Sequence, residues 1–161
     1  MKPVEFQTSW GTITLTLDDS GKVIALNLPP LRKTPETEFA FVGETRPSGA
    51  FKACAKRPLH LIDFQMLEKE FGPVKIPDCT PFQRAVWNEL KKIPRGQTRT
   101  YGEIAKAIGR PKAGRAVGSA CGANPLPVFI PCHRVVAKNG LGGFGSGLPW
   151  KILLLTMEGA L

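Results

Sequence analysis

The 161-residue chain reads as an α+β protein: a small N-terminal domain of β-sheet plus helix (1–79), packed on a mainly α-helical domain (80–161) that contains a helix-turn-helix. Three observations predict this. Residues 12–17, Thr-Ile-Thr-Leu-Thr-Leu, alternate polar and apolar at the period of a half-buried strand. Thr80-Pro81-Phe82-Gln83 and Thr100-Tyr101-Gly102-Glu103 are capping boxes that open helices. The charge is also split: 1–79 carry 10 Lys+Arg and 10 Asp+Glu, whereas 80–161 carry 12 and 3, so the whole net charge of +9 lies in the second part.

Taken in order, residues 4–28 read as β. The alternating strand is followed by an Asp18-Asp19-Ser20-Gly21 turn and a returning strand at 23–27, which Pro29-Pro30 ends. Residues 31–57 read as loop with one strand at 38–42. An apolar stripe predicts a helix over 59–71, stopped by Gly72-Pro73, with His60 on it as a packing or surface residue. Residues 72–79 read as a linker or one short strand.

After the Thr80 cap, Phe82, Val86, Leu90 and Ile93 form one buried helix face, with Trp87 beside it and Pro94-Arg95-Gly96 as the stop. The Thr100 cap leads a short helix through Ile104, Ala105 and Ile108 to Gly109. A third helix is expected over 111–121, ended by Gly122-Ala123-Asn124-Pro125. Two short helices with a Gly turn between them form a helix-turn-helix pattern. The second is rich in Ala and Gly and bears Lys112 and Arg115. Its small side chains suit close approach to DNA or close packing on a neighbouring helix; the basic charge favours DNA. Val128-Phe129-Ile130 is expected as a strand feeding Cys132, Gly140–Gly147 as a loop whose N–H groups can approach a ligand, and 149–158 as a last helix.

Cys132 and His133 adjoin in Ile130-Pro131-Cys132-His133-Arg134-Val135-Val136. A thiol beside an imidazole can be held as thiolate, the form that attacks carbon, so Cys132 is the candidate nucleophile. Four cysteines without a C-x-x-C pair and only two histidines argue against a zinc site, and no metal or cofactor is expected. No apolar signal core or membrane-length run occurs. A cytoplasmic protein with reduced thiols and no membrane association is expected.

These residues together resemble the O6-alkylguanine-DNA alkyltransferases (methylated-DNA–protein-cysteine methyltransferases). The resemblance covers Pro131 through Val136, Thr80-Pro81-Phe82-Gln83 with Trp87, Ile93-Pro94-Arg95-Gly96, Tyr101, Arg115-Ala116-Val117-Gly118, Asn124-Pro125, the Gly-rich loop, and Lys151 through Glu158-Gly159. It implies an RNase H-like N-terminal domain over 1–79 and a DNA-binding, alkyl-transfer domain over 80–161. It also implies a monomer that flips O6-alkylguanine, and O4-alkylthymine, out of double-stranded DNA from the minor groove. The alkyl group passes irreversibly to Cys132, so each molecule acts once, without a cofactor.

In the same resemblance His133 is the base acting through water and Glu158 orients it. Asn124 braces the active-site turn. Tyr101 contacts base and phosphate and donates a proton. Arg115 enters the stack, and Lys112, Ala113, Ala116, Gly118 and Ser119 complete the DNA-binding face. Val135, Phe144, Gly145 and Ser146 form the substrate pocket.

Three departures stand out, one being that the N-terminal half has no zinc-ligand set. Phe144-Gly145-Ser146 displaces a hydroxyl that would contact the alkylated oxygen, and Arg110-Pro111 is a poor helix cap. Taken singly, a cysteine placed like Cys132 is more often a buried inert thiol, and an arginine placed like Arg115 more often a solvated helix charge. A damage sensor without transfer lacks the cysteine present here, and a dimeric transcription regulator needs an interface for which no heptads appear. A cysteine hydrolase needs an oxyanion hole.

Overall fold

The computed structural model describes residues 1–8, 11–31 and 74–161. The strand expected at 38–42 and the helix expected at 59–71, with His60, lie outside the described residues.

Three strands, β1 (Lys2–Thr8), β2 (Gly11–Leu17) and β3 (Val23–Asn27), form an antiparallel sheet in the order β1-β2-β3. The alternation in β2 does what its period dictates: Ile13 and Leu15 are buried while Thr12, Thr14 and Thr16 stay partly exposed. Asp18 makes the turn into β3. Its Oδ1 accepts from the backbone N–H groups of Ser20 (2.9 Å) and Lys22 (3.0 Å), and Gly21 takes the left-handed φ of +80° that closes it.

Helix α1 (Pro81–Leu90) and helix α2 (Tyr101–Ala107) begin at complete capping boxes. Thr80 Oγ1 accepts from Gln83 N at 3.2 Å while Gln83 Oε1 accepts from Thr80 N at 2.9 Å; Thr100 and Glu103 repeat the exchange. Helix α3 (Gly114–Gly122) starts three residues later than the sequence suggests, because residues 111–113 form a turn and Ala113 offers no side-chain cap. Helix α4 (Leu148–Met157) closes the chain. Trp87 is buried in α1 and donates from Nε1 to Ala120 O at 2.8 Å, which ties α1 to α3.

One pairing had no local signal. Arg99–Thr100 (β4) lies parallel to Val135–Val136 (β5). Since β4 runs directly into Tyr101 and β5 leaves a 3-10 turn at Cys132–Arg134, this two-residue ladder brings Tyr101 alongside the Cys132 turn.

The strand expected over 128–130 is absent. Pro125 and Pro127 interrupt any ladder, Val128 sits at φ 75°, and the only pairing is an isolated bridge between Pro127 and Ile130. The apolar run is buried because a compact turn folds it inward.

The sheet and the helices share one core, in which Ile13, Leu15, Val23 and Leu26 join Trp87, Ile104, Val117, Ile130, Trp150 and Leu153. Hydrogen bonds reinforce it: the Leu26 backbone N–H donates to Pro125 O (2.9 Å) and the Trp150 indole Nε1 to Pro29 O (2.5 Å). The sheet therefore buttresses the turn that leads to Cys132. Among the described residues no helix is long and apolar enough to cross a membrane.

Candidate active site

The turn from 124 to 132 is organised by one side chain. Asn124 Oδ1 accepts from Leu126 N (3.0 Å), and its Nδ2 donates to Ile130 O (2.9 Å) and to Cys132 Sγ (3.1 Å). The same amide thus shapes the turn and touches the thiol. Cys132 is 4% exposed, and burial pushes its thiol up; the Asn124 hydrogen bond and the charge of Lys151 work against that rise.

His133 is completely buried. Its Nε2 lies 3.1 Å from Glu158 Oε1, and Arg134 grips the same carboxylate through Nε (2.9 Å) and Nη2 (2.7 Å). Arg134 also donates to Ile93 O at 2.7 Å, so it anchors the end of α4 to the segment after α1. Burial pushes Glu158 up, but the hydrogen bonds and charges of His133 and Arg134 outweigh it and hold the carboxyl at about 2. Burial dominates at His133 and pushes the imidazole down, so it is neutral at neutral pH. With the Nε2 proton directed at Glu158, the lone pair is on Nδ1, which is buried and has no hydrogen-bond partner among the described residues.

Cys132 lines a cavity of about 570 Å³, bounded by Tyr101, the α3 residues Gly114, Arg115, Gly118, Cys121 and Gly122, and the loop residues Gly143, Phe144 and Gly145. The Tyr101 ring has glycine on both sides. A Cβ on Gly142 would come within 2.8 Å of it and one on Gly118 within 3.8 Å, and the Tyr101 hydroxyl donates to Gly143 O at 3.3 Å. Burial pushes the Tyr101 phenol up. Phe144 meets the His133 ring edge-on, with centroids 6.5 Å apart.

The structure gathers Cys132, His133, Glu158, Asn124, Tyr101, Arg115, Gly118, Phe144 and Gly145 in and around this cavity. Ser146 and Val135 do not line it: Val135 is buried and its carbonyl accepts from Lys151 at 2.6 Å. Lys112, Arg115, Ala116 and Ser119 are exposed along α3 and the turn before it, whereas Ala113 is partly buried against the core.

Two residues without a role in the sequence reading belong to the site. Cys121 lines the cavity, and burial pushes its thiol up to about 12. Lys151 is fully buried behind the Gly-rich loop. Its signal was in view: a lysine directly before the apolar run Ile152-Leu153-Leu154-Leu155. No group of metal-ligating side chains occurs among the described residues.

Residues 81–160 match the family described as 6-O-methylguanine DNA methyltransferase, DNA binding domain. A methylated-DNA–protein-cysteine methyltransferase of Methanosarcina acetivorans is 56% identical over 93 residues, 57% of this chain and 60% of that protein. An inducible one of Bacillus subtilis is 55% identical over 80 residues, 49% of this chain and 45% of its own length. The matched stretch thus spans about half the length of these curated relatives. The crystal structure of Mycobacterium tuberculosis OGT in complex with DNA superposes with a TM-score of 0.67 at 31% identity, covering 97% of this chain and 91% of that one. The O6-methylguanine-DNA methyltransferase of the hyperthermophilic archaeon Pyrococcus kodakaraensis superposes at 0.64 with 26% identity, covering 98% of both chains.

Proposed function

The chain belongs to the O6-methylguanine-DNA methyltransferase family, and on that premise we propose that it repairs DNA by direct reversal, moving the alkyl group of O6-alkylguanine irreversibly to Cys132. The observation that carries this reading is the Cys132 thiol at the cavity wall, beside a neutral histidine whose buried Nδ1 is free to accept a proton while Glu158 holds Nε2.

The step needs a thiolate, a saturated carbon and a leaving oxygen. The Cys132 proton passes through a water to His133 Nδ1, and Glu158 stabilises the imidazolium that forms. Sulfur bonds to the alkyl carbon as the carbon–O6 bond breaks. The electron pair leaves on guanine, which takes a proton in the pocket from Tyr101. The resulting thioether has no route back, so one molecule repairs one lesion. O4-alkylthymine is the second substrate.

For the carbon to reach sulfur, the base must leave the duplex. Residues 80–161 are the domain that does this, with α2 and α3 as the helix-turn-helix laid in the minor groove. Lys112, Ala113, Ala116, Gly118 and Ser119 meet the backbone and groove floor, Arg115 fills the stack, and Tyr101 contacts the flipped nucleotide and its phosphate. The exposure of Lys112, Arg115, Ala116 and Ser119, and the net +9 of this half, support that reading. On the same reading, residues 1–79 are the N-terminal RNase H-like α/β domain, and the protein acts as a monomer in the cytoplasm.

Intact-mass spectrometry after mixing with a duplex carrying O6-methylguanine tests this. We expect one adduct of a single CH2 unit per molecule, mapped to Cys132 and absent from Cys132→Ala, which still binds DNA. Selective binding without an adduct would replace the reading by damage sensing.

A further inference from the structure

We propose that the turn at residues 93–96, between α1 and β4, positions Glu158 for the transfer: Arg95 and Gly96 seat the end of α4 so that its carboxylate meets His133. The proposal rests on the alkyl-transfer reading above. Ile93-Pro94-Arg95-Gly96 stands out in the sequence, yet neither the thiol chemistry nor the DNA face uses Arg95 or Gly96.

The last turn of a helix frays unless something outside it holds the free carbonyls. Glu158 sits at such an end, as the C-cap of α4. What fixes it comes from the turn at 93–96. Arg95 donates from Nη2 to Met157 O at 3.1 Å. Gly96 lies against the next carbonyl, for a Cβ there would stand 3.0 Å from Glu158 O. Ile93 O accepts from Arg134 Nη1 at 2.7 Å, and the same guanidinium holds both carboxylate oxygens of Glu158, through Nε at 2.9 Å and Nη2 at 2.7 Å. Three points on one turn thus fix the backbone before Glu158, its carbonyl and its carboxylate. His133 Nε2 receives the result, 3.1 Å from Oε1.

The turn is built to hold this shape. Ile93 is buried, Pro94 has its φ fixed by the ring, and Gln97 N donates to Pro94 O at 3.2 Å. Two demands coincide at Gly96: φ is +77°, where a side chain is strained, and the space a Cβ would take is held by the Glu158 carbonyl. Gly21 makes the first demand without the second. Its φ is +80°, and a Cβ there would meet nothing within 4 Å. The two glycines therefore separate backbone strain from contact with Glu158.

The test compares full-length wild type, G96A and G21A in single-turnover transfer from an O6-methylguanine duplex at rising DNA concentration, beside urea unfolding and 15N spectra of the His133 ring. In G96A the Glu158 backbone has to give way to the new Cβ. We expect its maximal rate to fall about tenfold with the half-saturating DNA concentration unchanged, and the His133 ring to lose its single Nε2–H tautomer. G21A should lose comparable stability and keep the wild-type rate and tautomer. A folded G96A with the wild-type maximal rate overturns the proposal. So does an equal slowing in G21A, which would assign the effect to backbone strain. If G96A does not fold, R95M decides: it should slow the maximal rate about threefold, as one hydrogen bond to the end of α4 is lost. R95M at the wild-type maximal rate overturns the proposal, and a raised half-saturating concentration alone would mark Arg95 as a phosphate contact instead. Wild type that transfers nothing defeats the alkyl-transfer reading and not the positioning of Glu158.

Discussion

Behind Cys132, outside the cavity lining, stands a wall of polar side chains locked by partners, whereas the cavity wall from α3 and the loop is made largely of glycine. Asn124, Glu158, Arg134 and Lys151 each hold two or more hydrogen bonds around Cys132. Gly114, Gly118 and Gly122, one turn apart on α3, face the cavity with Gly143 and Gly145 from the loop. The nucleophile's side needs charges fixed in low dielectric, where an unpaired group is costly. The substrate's side needs room and accessible backbone, which side chains would remove. The two walls should therefore fail differently when altered.

The polar wall should give the largest effect. Glu158→Ala strips the acceptor from His133 and Arg134, whose side chains are 1% and 16% exposed. Leaving that guanidinium without its partner should cost about 3 kcal/mol of stability, read by urea denaturation. Transfer should fall about a hundredfold or more in single-turnover assays, because nothing then sets the His133 tautomer. Normal transfer by a stable Glu158→Ala would show that the carboxylate serves neither role.

The same wall sets an acid limit. His133 is pushed below its ordinary 6.5 by burial, so the unfolded chain takes a proton there that the folded protein refuses. Stability should therefore decline as pH drops below 6.5. Glu158, held at about 2 against an ordinary 4.5, extends the loss as pH falls from 4.5 toward 2. Melting temperature against pH should show both segments in wild type. Glu158→Ala should shrink the lower one, leaving the part that belongs to Asp18 and Glu103, whose carboxyls hydrogen bonds also hold low; an unchanged lower segment would remove Glu158 as a source.

On the glycine wall, Gly142→Ala should cost about 1–2 kcal/mol, since φ is +71° and the new Cβ would lie 2.8 Å from Tyr101. The tyrosine must shift, so transfer slows as well. Gly143→Ala is the control for stability, for its Cβ would meet no protein atom within 4 Å. Equal effects at the two positions would mean that backbone flexibility, and not the fit against Tyr101, is what the glycines supply.

What could be read from the sequence followed the range of each signal. The capping boxes and the alternation of β2 are local, and both appear in the geometry. The run at 128–130 was misread because a buried apolar stretch looks the same in a strand as in a tight turn. Proline at 111 suggested a helix start that the chain delays to Gly114. The β4–β5 ladder joins residues 36 apart through two pairs, too little pattern to detect. Cys132 and His133 stood out as neighbours, but Glu158 entered only through the family resemblance, since nothing in spacing links positions 25 apart.

The smallest effects should come from the helix starts, and they separate a cap that works from a position that cannot hold one. Thr100→Ala and Thr80→Ala each remove the hydroxyl acceptor of the box while its backbone N–H half remains, and should cost about 1 kcal/mol in denaturant unfolding. Thr100→Ala should also slow transfer slightly, because the helix it opens begins with Tyr101. Ala113→Ser should change stability by less than about 0.5 kcal/mol, although α3 has no cap to lose. Thr80 and Thr100 have ψ of 154° and 155°, the extended geometry from which a hydroxyl reaches the third helical N–H; Ala113 has ψ of 20° and points a side chain elsewhere. A gain of a full kcal/mol from Ala113→Ser would mean that the turn before α3 readily rearranges, and that its first N–H groups are held open by composition and not by backbone geometry.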